Sequence, residues 1–456
     1  MAQTHITDIL PPFAPIADSS LPKTDGVLIA DIIIKGNKRT KPYIILREMT
    51  LKKGDLISAS ALSKQIEISR NQVFNTALFI DVAITVTSKL GDIITLKIDV
   101  KERWYFFPVP YFKLADRNFN QWWQNENHSL DRVNFGLKFT QYNLSGNNDG
   151  LDVWLITGYS RQLKLRYNLP FFEKTLKHGL NVGYGYTTQK EVNDSTSFDK
   201  QIFLKSARFI RTFNRLDVSY AYRPDQHWAH FVTVALTNEW LADSVVKAAP
   251  NYFPQRRGDI QYLDFSYSFR YQNLDYFAYP TKGYTYEGYI YKRGLDEVTN
   301  LWQVGLSGLY AHPVWKKAFV KFSAAATFKR PNTNYFFNKR LFGYNDFALR
   351  GLEYYVVDGD KGVLARATLL QEVLKYKFNT HLHSKTYDKI PFRYYLKIYA
   401  DAGYAHNTFA GNSILANKLM YTYGIGLDVV SIYDFVFRFE LSFNQLGTQG
   451  LYLHTK

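Results

Sequence analysis

From Phe435 to Asn444 the chain alternates strictly: Phe435, Phe437, Phe439, Leu441 and Phe443 on one set of positions, Val436, Arg438, Glu440, Ser442 and Asn444 on the other. Successive side chains of a strand point to opposite faces, so this segment has one hydrocarbon face and one face carrying both charge signs. The pattern recurs from about Trp104 to the end of the chain, in segments near 104–114, 131–142, 150–160, 162–169, 179–189, 200–212, 215–223, 227–241, 259–273, 284–293, 298–312, 317–329, 362–376, 392–405, 418–430 and 434–446. A soluble sandwich would need a second sheet of equal size over such a face, whereas a bilayer buries the apolar face of every strand at once. A strand that spans the hydrocarbon needs about 9–11 residues, which these segments provide. The expected fold is a transmembrane antiparallel β-barrel of 16 strands, an even number as single-chain barrels have. Tyr262 stands out of phase with the apolar positions Leu263, Phe265, Tyr267, Phe269 and Tyr271.

Averages conceal such a barrel, because each lipid-facing residue has a polar neighbour. Hydrophobic residues are 46% of the chain and no run of 18 apolar residues exists, so a spanning helix has no candidate segment. The aromatic content of 17% suits girdles at the two membrane interfaces. Cysteine is absent, which excludes disulfides, thiolate metal sites and a cysteine nucleophile. The net charge of +16 has no Lys/Arg-dense stripe or nucleic-acid motif behind it. It points to anionic lipid headgroups and glycolipid phosphates as partners, against plain solubilising loop charge as the alternative.

Residues 1–26 lack a basic-then-apolar leader and carry Pro11, Pro12 and Pro15, which reads as a flexible lead-in of an exported, mature chain. Residues 27–102 are a different unit. An isoleucine-rich strand, Val27–Lys35, ends at Gly36-Asn37. A short helix from about Pro42 to Met49 precedes a turn at Gly54-Asp55. Ser58 or Ser60 can cap a second helix with Leu62, Ile66, Val73, Phe74 and Leu78 on its buried stripe. Val82, Ile84 and Val86, then Ile94, Leu96, Ile98 and Val100, alternate as two closing strands. The order is β-α-α-β-β, a small α+β domain whose open sheet edge can accept an extended peptide or serve as a docking surface. The remainder, 103–456, is the barrel.

The longest loop, 330–361, holds Leu349-Arg350-Gly351-Leu352, and a loop of that length inside a compact domain is usually functional. Two strands on, alternation puts Arg393, Tyr395, Lys397, Tyr399 and Asp401 on the lumenal face. A guanidinium inside a narrow lumen needs a carboxylate in bidentate geometry. Pro108 and Pro110 sit two apart in the first strand and lack N–H groups, while Gly447 and Gly450 weaken the last. If those edges meet, the barrel has a weak seam; if the prolines face the second strand, it does not.

These residues resemble a known family. The Gly36-Asn37 turn with Thr40, Arg47-Glu48, Gly54-Asp55, Phe79 and the closing Val100-Lys101-Glu102-Arg103 resemble a polypeptide-transport-associated (POTRA) domain. A POTRA domain ahead of a barrel of this size is similar to the BamA/TamA superfamily of outer-membrane assembly and translocation proteins. That resemblance implies an in-folded loop tipped hydrophobic–Arg–Gly–aromatic, matched by Leu349, Arg350 and Gly351 with Leu352 in place of the aromatic. It also implies an Asp partner in an aromatic-x-Asp-x-Gly strand, matched by Tyr399, Asp401 and Gly403, and a Glu on the intervening strand, matched by Glu372, so Arg350 is expected on Asp401, with Glu372 near. The Tyr279-Pro280-Thr281-Lys282-Gly283 turn, with Asp275 nearby, is similar to the Pro-Thr-x-Gly turn of these barrels.

The ten histidines have no metal-site spacing, and no nucleophile elbow or phosphate loop appears. The chain is expected to be no enzyme and to need no cofactor or metal. The resemblance implies a protein of the bacterial outer membrane, its POTRA domain in the periplasm, assisting insertion or translocation of unfolded outer-membrane or secreted polypeptides. The alternative is a non-catalytic accessory subunit, partnered with other subunits of an assembly complex, whose barrel stays shut. One POTRA domain is fewer than main assembly factors carry.

Overall fold

The isoleucine-rich start of the chain folds as β1 (Gly26–Lys35), followed by α1 (Pro42–Glu48), β2 (Leu56–Ser58), α2 (Ala59–Phe74), β3 (Phe79–Leu90) and β4 (Ile93–Glu102). The structure, a computed structural model, describes residues 26–114, 129–295, 299–331, 335–345, 347–380 and 389–455; the lead-in expected over 1–26 lies outside them but for Gly26. The sheet order is β2-β1-β4-β3, with β1 parallel to β4. Ile29, Ile44, Ile45, Met49, Val73, Ile84, Leu96 and Ile98 form its buried core, and Leu62, Ile66 and Phe74 of α2 pack against it. The expected β-α-α-β-β order thus gains a strand: Leu56-Ile57-Ser58 pairs with Gly26–Leu28, a segment too short to show period two. Ser58 sits at the cap position of α2, but its hydroxyl meets Ser60 Oγ (2.8 Å) and bonds no helix N–H.

The rest of the chain builds one 16-stranded sheet in which all neighbours are antiparallel. Its first strands are β5 (Phe106–Leu114), β6 (Val133–Tyr142), β7 (Gly150–Gly158), β8 (Ser160–Leu169) and β9 (His178–Gln189). A separate hairpin, β10 (Glu191–Ser197) and β11 (Lys200–Lys205), precedes β12 (Arg211–Tyr222), β13 (Trp228–Leu241), helix α3 (Asp243–Ala248), β14 (Asp259–Leu274), β15 (Gly283–Arg293), β16 (Leu301–Trp315) and β17 (Ala318–Arg330). The loop then carries α4 (Phe336–Lys339), β18 (Arg340–Phe342) and β19 (Val357–Asp358). The sheet resumes with β20 (Lys361–Asn379), β21 (Lys389–His406), β22 (Leu419–Val430), β23 (Val436–Asn444) and β24 (Gln449–Thr455).

The expected count of 16 therefore arises from a different set of strands. Residues 200–212 are not a barrel strand: 200–205 pairs with 191–197 in a hairpin turned by Phe198 and Asp199, both at positive φ (48° and 59°), the geometry that matches strand twist in a two-residue loop. The chain also reverses once more after residue 446, at Gly447 (φ 73°), and adds β24. Gly447 lies in this turn and Gly450 in the new strand.

Alternation holds around the sheet. Leu263, Phe265 and Tyr267 face outward, while Asp264 faces the lumen, 2% exposed, against Arg215 (2.6 Å) and Arg293 (3.2 Å). Tyr262 belongs to that lumenal set: it is buried under Arg293, whose guanidinium lies 4.7 Å from its ring. Arg211–Glu239 (2.6 Å) and Arg166–Asp217 (2.8 Å) continue the lumenal ion pairs.

The β1–β4 domain covers one mouth. Arg47 donates to the main-chain carbonyls of Leu176 (2.6 Å), Arg223 (3.0 Å) and Asp225 (3.4 Å) in the β8–β9 and β12–β13 turns. Its guanidinium also lies over Phe171 (4.7 Å), which is buried in the domain's core. Glu48 bonds Arg223, Asn75 reaches the β14–β15 turn, and the Lys41 N–H donates to Gly146 O (3.1 Å).

Candidate functional site: the in-folded loop and the open sheet edge

The loop between β17 and β20 is structured. Its Leu341, Phe342, Leu349, Leu352 and Val357 share a buried cluster with Leu364, Ala405, Leu415 and Met420 of the wall and the β21–β22 loop. The β10–β11 tip closes over the same mouth, where Asp199 accepts from the Ile414 (2.7 Å) and Leu415 (2.9 Å) N–H groups.

Arg350 lies inside. Asp401, its carboxylate wholly shielded, accepts from Arg350 Nε (3.0 Å), from Nη2, and from the Arg350 main-chain N–H (3.0 Å). Arg350 Nη1 donates to Thr368 Oγ1 (3.1 Å), and the guanidinium lies 4.0 Å from the Tyr399 ring centre. Tyr399 in turn meets Ser442 Oγ (2.5 Å), which ties β21 to β23. Gly351 adopts φ +87°, its carbonyl accepts from Asn444 Nδ2 (2.8 Å), and a Cβ there would lie 2.7 Å from that of Ser442. Gly403 leaves room for Leu349, whose Cδ1 would be 3.0 Å from an added Cβ. The structure thus brings Leu349, Arg350, Gly351, Asp401 and Gly403 together.

Glu372 is elsewhere. It stands four residues along β20 from Thr368, about 13 Å at ~3.3 Å per residue, and interacts with Tyr395 OH (3.3 Å) and Lys375 (3.4 Å). Arg366, not Glu372, is the second group at Asp401 (3.8 Å), and it also donates to Ala348 O. A second lumenal cluster escaped the sequence reading as a cluster. Lys397 (2% exposed) joins Asp428 and Glu440 (2.6 Å), and Tyr279 of the Tyr-Pro-Thr-Lys-Gly turn donates to Asp428 (2.9 Å). Each partner is visible in its own strand's alternation, but only register places them level. Asp275 caps that turn, accepting from the Thr281 (2.9 Å) and Lys282 (3.1 Å) N–H groups.

The sheet has two ends, β5 and β24, and among the described residues no main-chain ladder joins them. Beside the mouth covered by the β1–β4 domain, the start of β5 meets the β22–β23 turn by side chains: Arg103 pairs with Asp434 (3.2 Å), and Phe107 stands edge-on to Tyr433 (5.6 Å). Tyr142 N–H donates to Tyr105 O (2.7 Å), which puts the main-chain groups of Tyr105, Phe107, Val109, Tyr111 and Lys113 on the β6 side. Pro108 and Pro110, opposite Phe139 and Leu137, turn their nitrogens to the open edge. That edge keeps its carbonyls and lacks two donors. By the same alternation, the Asn444 N–H bond to Thr448 O (3.2 Å) turns the main chain of Gln449, Leu451 and Leu453 outward from β23. Gly450 lies under Tyr452, whose hydroxyl would be 2.5 Å from an added Cβ.

In the small domain, Gly36 (φ 92°) passes Val100 O so closely that a Cβ would be 1.9 Å away, and Gly54 (φ 93°) donates to Ile29 O (2.8 Å). Phe79 is buried in the core. Asn37 Nδ2 donates to Thr40 O (3.0 Å), and Thr40 Oγ1 meets Tyr105 OH (3.1 Å) and Asn143 Nδ2 (2.9 Å), so this turn also contacts the β6–β7 turn of the barrel.

Residues 27–103 match the family model for POTRA, described as surface antigen variable number repeat, and this stretch is a POTRA domain. The whole is a POTRA domain followed by a 16-stranded transmembrane barrel. Its fold is similar to that of BamA from Haemophilus ducreyi lacking POTRA domains 1–3, with a TM-score of 0.51 and 15% identity, over 94% of this chain and 84% of that one. CdiB from Escherichia coli aligns with a TM-score of 0.48 and 10% identity over 98% of this chain and 91% of that one. A sequence search of curated proteins finds no match.

Proposed function

We propose that this protein resides in the bacterial outer membrane, with its POTRA domain on the periplasmic side, and assists the insertion, assembly or translocation of polypeptides there. The open β5 edge carries this reading. In hydrocarbon a strand cannot leave main-chain groups unpaired, so an incoming client strand gains by pairing with carbonyls that β24 leaves free. Pro108 and Pro110 keep β24 from competing fully for that edge. Client folding supplies the driving force, with no nucleotide required. Outer-membrane lipid and glycolipid surround the barrel, and unfolded outer-membrane or secreted polypeptides are its clients.

A second reading has its own support. The POTRA domain lies across one mouth, with Arg47 on three barrel carbonyls, and the loop and the β10–β11 hairpin lie across the other. A barrel shut at both ends suits an accessory subunit of a larger assembly or secretion complex.

A folding assay separates the two. The protein is placed in liposomes, an unfolded small barrel protein is added, and its protease-resistant fraction is followed with Phe106→Cys and Leu453→Cys reduced or oxidised. Acceleration that disappears on oxidation supports the edge mechanism; no acceleration in either state rejects it and favours the accessory subunit.

A further inference from the structure

Three side chains from three different segments converge beside the Arg350 loop tip: Glu353 of the loop, Glu440 of β23 and His454 of β24. One carboxylate oxygen from each glutamate and a ring nitrogen of His454 lie within 4.8 Å of one another. His454 Nε2 is 3.3 Å from Glu440 Oε2 and 3.5 Å from a Glu353 oxygen. Nε2 is buried between these two carboxylates, and Glu353 Oε2 is buried without a partner.

A metal ion accounts for those spacings. With ligands at about 2.0–2.1 Å in tetrahedral array, neighbouring ligand atoms are about 3.4 Å apart. Two carboxylates and one imidazole form a mixed N/O donor set that suits a borderline divalent ion such as Zn²⁺ and leaves a position for water. The glutamates are already oriented: Glu440, 2% exposed, gives its other oxygen to Lys397 (2.6 Å), and the Gly351 N–H donates to Glu353 Oε1 (3.0 Å). Such outer partners fix ligand geometry in metal sites. Of the nearby cations, Lys397 is shared with Asp428 and Arg350 is held by Asp401, while Arg438 stands opposite His454 on β23.

We propose that Glu353, Glu440 and His454 form a divalent transition-metal site that fastens the last strand to the in-folded loop. β24 pairs only with β23 among the described residues, and Glu353 lies three residues past Arg350. Occupancy therefore links the open-edge strand to the segment anchored on Asp401. The site stands independently of the functional reading above.

The test uses the full chain, purified in detergent with a histidine-free tag, stripped with chelator and titrated with Zn²⁺ and with Co²⁺. Expected are one bound equivalent, a tetrahedral Co²⁺ visible band, and affinity at least about tenfold weaker in His454→Ala and in Glu353→Gln, while His312→Ala binds normally. Heat-modifiable gel mobility checks that each variant is folded. Zn²⁺ is also expected to slow amide exchange at Leu451 and Leu453 in the parent and not in His454→Ala. Substoichiometric binding, or equal binding in all variants, overturns the site. Binding that leaves β24 exchange unchanged overturns its role as a fastener. Protection of β24, corrected for intrinsic exchange, that responds to pH and not to metal assigns the cluster to a proton-linked contact instead.

Discussion

Arg350 and Asp401 meet through two guanidinium nitrogens and the Arg350 main-chain N–H, so one shielded carboxylate orients both the side chain and the backbone of the loop tip. Asp401 comes from a wall strand whose position is set by its ladders to β20 and β22.

Removing one partner of a buried ion pair leaves the other uncompensated, which costs about 3–5 kcal/mol. Asp401→Asn is expected to release the loop, measured as new protease cleavage between residues 340 and 358. Arg350→Lys should restore little, since an ammonium cannot make the bidentate contact. Intact loops in both variants would show that the apolar cluster around Leu349 and Phe342 suffices.

Gly351→Ala meets two obstacles, a backbone at φ +87° and a Cβ 2.7 Å from that of Ser442. Strain of this kind costs about 1–3 kcal/mol. The expected result is a lowered melting temperature together with faster hydrogen exchange of the Asn444 side-chain amide, which the Gly351 carbonyl no longer protects. An unchanged melting temperature would place the loop tip elsewhere.

Arg47→Ala deprives three main-chain carbonyls of a donor, at about 1–3 kcal/mol for each group left buried and unpaired. The POTRA domain should then lift from the barrel. Spin labels at Lys64 and Lys174 would report a broadened, lengthened distance distribution; an unaltered distribution would show that Phe171 and Leu176 hold the domain without it.

The β8–β9 turn offers a pH readout. Against a desolvation push upward, the Thr175 hydroxyl and the N–H groups of Lys177, Thr175 and His178 hold the Glu173 carboxyl down at about 2, below its ordinary 4.5. A depressed folded pKa stabilises above the unfolded value, so the turn's added order is fully present above pH 4.5 and is lost as pH falls through about 2. Protection of the Lys177 and His178 amides, corrected for intrinsic exchange, should fall across that window in the parent and stay flat in Glu173→Gln.

Pro108→Val with Pro110→Val returns two donors to the β5 edge. On the reading that β5 and β24 face each other, exchange at Leu451 and Leu453 is expected to slow, and client insertion in liposomes to slow with it. Unchanged exchange would mean that the two edges do not pair even when both are complete.

Much of this protein is legible in one dimension. Period-two alternation is a local property of each strand, so the barrel, its lumenal face and the placement of Asp401 on that face follow from Tyr395, Lys397, Tyr399 and Asp401 in sequence. The POTRA order, apart from the three-residue β2, follows in the same way from the isoleucine strand and the helical stripe. What the sequence could not decide was level and pairing. Glu372 and Arg366 share a lumenal face of β20 and look equivalent there, but β20–β21 register sets Arg366 opposite Asp401 and Glu372 opposite Tyr395. Residues 200–205 alternate like a wall strand and yet pair locally with 191–197, because the Phe198–Asp199 turn closes a hairpin before the wall is reached. β24, the side on which Pro108 and Pro110 present their nitrogens, and the meeting of Glu353, Glu440 and His454 belong to the same class. Each depends on hydrogen bonds and contacts between segments distant in the chain, which only the assembled sheet brings side by side.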